Sequence, residues 1–200
     1  MSAPADPIVD LAGVQNIVER ALAAARVRTI LADRPQELHA GRSHAFVRAL
    51  ADELRELHAG DESVTALCKY DDRDRARVGM SELLHDVTVC RVAAVTSAAQ
   101  GKTLWYVTDA LWQVESELAR DSRQALIDFN KLVLGSARIK LFIGPQVADP
   151  EAFVGVLRPA AARCTGEVFA ALIPHPDRWD HAGAGVGVQT WQLGEVRAPP

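Results

Sequence analysis

From about residue 43 onward, the spacing of apolar residues changes period in a fixed order: helix, strand, strand, strand, helix, strand. The first helix of this series spans about Ser43 to His58, with Phe46, Val47, Leu50, Leu54 and Leu57 as its apolar stripe, Ser43 as N-cap and Gly60 just beyond its end. A short strand is expected from Ser63 to Tyr70 and a longer one across the β-branched run Leu83 to Val95. Leu104 to Val107 and Leu111 to Glu117 add one or two more, beyond the small polar stretch Ser97 to Thr103. A helical period returns from Arg120 to Leu134, with Leu126, Phe129 and Val133 aligned and Gly135 placed to end it. The buried strand Ile139 to Ile143 follows. Such an αβββαβ order predicts an α/β sandwich around a mixed sheet, not a strictly alternating doubly wound fold.

Before this core, residues 1–10 read as a loose tail, followed by an amphipathic N-terminal helix that runs to about residue 32 and breaks at Asp33-Arg34-Pro35. After it, a C-terminal extension (145–200) carries a helix from about Pro150 to Arg163 and a strand from Glu167 to Ile173. A turn at Pro174-His175-Pro176-Asp177, a Gly/Ala-rich link over 182–187 and a last strand near Val188 to Leu193 complete it. With 200 residues, 48% of them hydrophobic, the chain can bury a substantial core, and residues 11–200 read as one α/β domain whose core is about 43–144.

Composition removes several function classes. A formal charge of −4 argues against a protein that coats nucleic acid non-specifically, though local arginine clusters can still grip phosphates. No apolar run approaches the roughly 18 residues of a membrane span, and MSAPADPIVD lacks the basic and apolar regions of a signal peptide, so a cytoplasmic protein without a membrane partner is expected. Cys68, Cys90 and Cys164 are too scattered for a disulfide framework or a CxxC site. The histidines show neither HExxH nor HxH spacing, and no Walker loop, GxGxxG fingerprint or GxSxG elbow is present.

What remains is an ordered set of charges between Asp86 and Lys131. On a strand, Glu115 and Glu117 share a face with Gln113 and Leu111, while Trp112, Val114 and Ser116 face the other way. Asp86 shares its face with Thr88 and Cys90. If the two strands pair, Asp86 and Glu115 converge at one end of the sheet, an arrangement suited to a hard cation that prefers carboxylate oxygens and water. Only four of the 22 basic residues are lysines (Lys69, Lys102, Lys131 and Lys140), which singles out a lysine placed near such acids. On a helical wheel, however, Lys131 lies about 200° from Phe129, so its plain structural alternative is a solvated face with Asp128 paired at i,i+3. Arg42 and Arg48 near the start of one helix, and Arg73 and Arg75 in a charged loop, are candidate nucleic-acid contacts through phosphates.

Over about residues 43–144 the chain resembles the PD-(D/E)xK nuclease superfamily, whose fold is restriction-endonuclease-like. The likeness rests on the αβββαβ order, the Asp of ELLHDVTV and the acidic strand end of WQVESE. It implies Mg²⁺- or Mn²⁺-dependent hydrolysis of phosphodiesters in DNA, endo- or exonucleolytic, with Asp86 and Glu115 as metal ligands. The pattern departs from ExK where Glu117 stands, and is similar to divergent members with ExE on the strand and a lysine on the following helix. That variant assigns Lys131, in DFNKLVLG, as the catalytic lysine and Glu117 as an accessory acid. Two alternatives stay open: a catalytically inactive nuclease-like binding module or subunit of a larger complex, and a phosphoesterase acting on RNA or nucleotides. A homodimer is compatible with any of these.

Overall fold

The computed structural model describes residues 6–180 and 187–194. Helix α1 (Leu11–Arg26) starts at Asp10, whose carboxylate accepts the Gly13 N–H at 2.8 Å and so caps a free helix donor. It buries Val14, Ile17, Val18, Ala21, Leu22 and Ala25, and stops short of residue 32, where the β-branched run Val27 to Ile30 leaves the helix. Helix α2 (Pro35–Leu57) is longer than the sequence suggests. Pro35 does not merely break what precedes it. It opens α2, because proline's fixed φ and missing N–H cost nothing in the first turn. Ser43 is therefore no N-cap: it lies inside α2 and donates to the His39 carbonyl. Arg42 and Arg48 accordingly sit in the middle of α2 rather than near its start.

Six strands form one sheet in sequence order, β1 (Val64–Cys68), β2 (Val87–Ser97), β3 (Lys102–Ser116), β4 (Ile139–Pro145), β5 (Glu167–Ile173) and β6 (Gln189–Gln192). β1, β2 and β3 are mutually antiparallel, β3, β4 and β5 are parallel, and β6 returns antiparallel. Helices α4 (Ser122–Leu134) and α5 (Pro150–Ala161) provide the parallel crossovers, and the four-residue α3 (Arg75–Val78) lies between β1 and β2. The fold is thus a mixed α/β fold with the expected αβββαβ order, an N-terminal helix and a helix-strand extension, around an open six-stranded sheet.

The two expected strands at 104–107 and 111–117 are one strand. β3 pairs continuously with β2 as a long hairpin, with register shifts at two places that leave Thr108 and Leu111 without partners of their own. Each extra residue flips the alternation. Leu111 consequently joins Trp112 in the cluster beneath α1 and α2, and leaves the face of Gln113 and Glu115.

Each face of the sheet has its own core. Val87, Val89, Trp112, Val114, Leu141 and Phe169 pack against α1 and α2, whereas Phe142, Val168, Ala170 and Leu172 pack against α4 and α5. The stretch 71–77 is not a simple solvated loop. Arg55 of α2 reaches Asp52, Asp71 and Asp74, and Arg73 reaches Asp52 and Asp71, pinning α3 to α2. Cys68 and Cys90 are buried free thiols and Cys164 is half-buried. Among the described residues no helix is long and apolar enough to cross a membrane. The final strand appears as β6, but the Gly/Ala-rich link falls mainly on 181–186, outside the described residues.

Candidate functional site

Asp86 immediately precedes β2. Val87 pairs with Val114 and Thr88 with Gln113, so continuing the antiparallel register by one step sets Asp86 opposite Glu115. The Ser116 N–H donates to Asp86 Oδ2 at 3.0 Å, and the Asp86 carbonyl accepts the Lys69 N–H at 3.0 Å. Asp86 thereby closes the ladder at this end of the sheet and holds its carboxylate there, only 8% exposed.

Glu115 lies near the end of β3, on the face covered by α4, and is 1% exposed. Its Oε2 accepts from Lys131 Nζ at 3.0 Å, while its Oε1 is buried with no hydrogen-bond partner. Burial raises its carboxyl to about 7 against the ordinary 4.5; Lys131 pulls it down, and the negative charges of Asp86 and Asp128 push it up. A buried carboxylate with one orphaned oxygen is costly unless something else satisfies it.

α4 supplies the other half. Asp121 caps its first turn by accepting the Arg123 N–H, and Ala125, Phe129 and Leu132 are buried, with Leu126 and Val133 only partly so. The buried stripe is thus centred on 125/129/132 instead of 126/129/133, a rotation of roughly 60° toward Lys131. Lys131 still lies about 130° from the centre of that stripe. Lys131 is 34% exposed, and its flexible stem carries Nζ to Asp128 Oδ1 at 2.8 Å, the i,i+3 pair expected of it, and on to Glu115. Burial opposes its charge, but Asp128 and Glu115 prevail and hold the ammonium above its ordinary range.

Glu117 lies just past β3, where it accepts the Ala119 N–H at 2.6 Å. Burial and the adjoining Asp128 carboxyl raise its pKa, while Asp128, despite burial, is held low by Lys131, Gln124 and Glu117. On the other side of Asp86, Lys69 Nζ stands 3.5 Å from Oδ1. The four sequence candidates are therefore gathered at one sheet end, with Lys69 and Asp128 added. Asp128 had entered only as a helical partner of Lys131, and Lys69 only as one of four lysines, although its place at the end of the apolar run VTALC was a usable signal.

Several neighbours have structural duties. Gln113 is buried and its Oε1 accepts the Ala137 N–H; a Cβ on Gly135 would come 2.0 Å from that oxygen, so the glycine lets α4 end over it. His85 Nε2 contacts the Lys131 carbonyl at 3.1 Å, tying the end of α4 to the start of β2. Glu53 pairs with Arg20, between α2 and α1. Of the arginines, Arg42 bonds the Pro176 carbonyl and Asp180, Arg73 is held by Asp52 and Asp71, and Arg75 is exposed, 4.0 Å from Asp72. Arg48 differs: its Nε is buried without a hydrogen-bond partner.

Among the described residues no group of three His, Cys, Asp or Glu side chains is arranged to hold a metal ion. Asp86 and Glu115 nonetheless present hard oxygen donors, one of them unsatisfied, and Mg²⁺ commonly takes one or two protein carboxylates and completes its shell with water. Three of the four carboxylate oxygens are already engaged, by the Ser116 N–H, Lys69 and Lys131, which leaves Glu115 Oε1 as the one without a partner. No protein-family model, curated protein or solved structure matches the chain.

Proposed function

We propose that this protein is a Mg²⁺- or Mn²⁺-dependent phosphodiesterase acting on DNA, related to the PD-(D/E)xK nucleases by its αβββαβ order and by the residues at the start of β2 and the end of β3. The observation that carries the reading is the meeting of Asp86 with Glu115 across the hairpin, and of Glu115 with Lys131 across the β3–α4 turn. Asp86 and Glu115 are the carboxylates that would hold the cation. Bound there, it would supply Lewis-acid stabilisation of charge on phosphate oxygens. Glu115 must ionise to serve, and Lys131 assists that ionisation while fixing the carboxylate's direction. Glu117, whose carboxyl burial and Asp128 raise, is the accessory acid beside them. The three free cysteines accord with a reducing, cytoplasmic setting.

Purified protein should cut plasmid or linear DNA when Mg²⁺ or Mn²⁺ is added. Asp86→Ala should abolish cutting and remove the heat of Mn²⁺ binding in calorimetry; cleavage that survives the substitution removes the site. RNA and small nucleotide diesters belong in the same panel, since the carboxylate chemistry alone does not choose among them.

A second reading has its own observation. Each carboxylate offered to a metal already has a lysine on it, Lys69 on Asp86 and Lys131 on Glu115, so local charge is compensated without a cation. That favours a catalytically silent binding module or a subunit of a larger assembly. It forecasts no Mn²⁺ heat and intact DNA.

A further inference from the structure

The charges around Asp86 are not symmetrically placed. On the α4 side, Glu115 and Asp128 hold one cation, Lys131, and Glu117 adjoins Asp128. On the α2/β1 side, the cations Lys69 and Arg48 are accompanied by the aromatic pair His44 and Tyr70, stacked at 3.9 Å and 23°. Arg48 lies one turn beyond His44 on α2, and His44 feels Arg48, Lys69 and Asp86 together, so these groups share one neighbourhood.

The two lysines are committed to different degrees. Lys131 Nζ has two carboxylates within 3.0 Å, one of them on a buried side chain. A phosphate oxygen approaching it must compete with two fixed anions. Lys69 is 47% exposed, has one ion-pair partner at 3.5 Å, and its ammonium stands 5.6 Å from the Tyr70 ring centroid. It can meet an incoming anion by a small rotamer change. Arg48 adds a half-buried guanidinium whose Nε has no protein partner, so its charge is not spent on a carboxylate through that atom.

We propose that Lys69 and Arg48 form the phosphate-contacting lip of the site, on the α2/β1 side of Asp86, and that Lys131 is a positioning residue acting through Glu115. The inference rests on the phosphodiesterase reading for its ligand, a phosphate of the nucleic-acid backbone. The stacked His44–Tyr70 pair backs the lip and limits the directions open to Lys69.

The test is fluorescence anisotropy with a short fluorescein-labelled DNA duplex in EDTA, where no metal-dependent cleavage occurs, repeated over a salt series. Lys69→Met and Arg48→Met should each weaken binding roughly tenfold and lower the salt slope by about 0.9, the share of one phosphate contact. Lys69→Arg should restore both. Lys102→Met removes an equal charge at the far end of the β2–β3 hairpin and should leave affinity within about twofold. Lys131→Met should spare binding while lowering the single-turnover cleavage rate in Mn²⁺.

Wild-type protein that does not bind the duplex, or Lys69→Met protein with unchanged affinity and slope, overturns the lip. If the wild type cuts DNA and Lys69→Met cuts and binds equally well, the lip falls and the phosphodiesterase reading stands. If Lys69→Met and Arg48→Met weaken binding but the wild type cuts nothing with either metal, the lip stands and the hydrolytic reading falls.

Discussion

Replacing Glu115 by glutamine tests the electrostatics at the centre of the site. The side chain is 1% exposed, and burial raises its carboxyl from 4.5 to about 7. A carboxyl raised in the folded state keeps its proton there while the unfolded chain has already lost it. Its contribution to stability is therefore fully present below about pH 4.5, declines as pH rises, and is gone above about pH 7. The size of that decline is about 3 kcal/mol, at 1.36 kcal/mol for each pH unit between the two values. Glutamine keeps the shape but cannot ionise, so Glu115→Gln removes the dependence. It also weakens the bond to Lys131, a change expected to be nearly pH-independent because Lys131 stays charged and keeps Asp128. Urea unfolding of both proteins in EDTA at about pH 4.5, 6 and 8, extrapolated linearly to water, supplies the comparison. Relative to wild type, the variant should gain about 3 kcal/mol between the lowest and highest pH, whatever its constant offset. A difference that stays flat within about 1 kcal/mol refutes the assignment of Glu115 as a buried, weakly acidic carboxyl.

Phe129→Ala should cost about 3–5 kcal/mol, because the ring is fully buried and packs against Phe142 at 5.6 Å between centroids; a thermal-melting shift equivalent to less than about 1 kcal/mol contradicts the packing of α4. Gly166→Ala should destabilise by at least about 1–2 kcal/mol, since Gly166 has φ +74° and an added Cβ would stand 2.3 Å from the Arg138 carbonyl oxygen. Chemical denaturation measures it, and a neutral result shows that the turn into β5 can rearrange.

Much of the fold is legible from spacing. The stripe of α2 carries the helical period, and the apolar runs of β1, β2, β4 and β5 are marked as strands by their β-branched and aromatic residues and their bounds. Elsewhere a local signal competes with a stronger one. Ser43 resembles a helix N-cap, but Pro35 starts α2 earlier, and the bulges at Thr108 and Leu111 disguise one long strand as two. At the site, strand alternation put Glu115 and Asp86 on corresponding faces, which the hairpin register supports. The helical wheel sets Lys131 off the buried stripe and beside Asp128, a pair the structure keeps, but it does not show that the long stem also carries Nζ to Glu115.

The sequence by itself determined the order of elements, the polar and apolar faces where β2 and β3 meet, and the small set of charges between Asp86 and Lys131, because these follow from local periodicity and residue type. Tertiary structure alone decided which charges meet. Asp86 and Glu115 become opposite only through the register of a long bulged hairpin, Lys131 reaches Glu115 only through the rotation of α4 on the sheet, and Lys69 stands beside Asp86 only because β1 pairs with β2. Register and rotation are set by which side chains fill the space between layers, a property of the packed whole that no window of sequence contains.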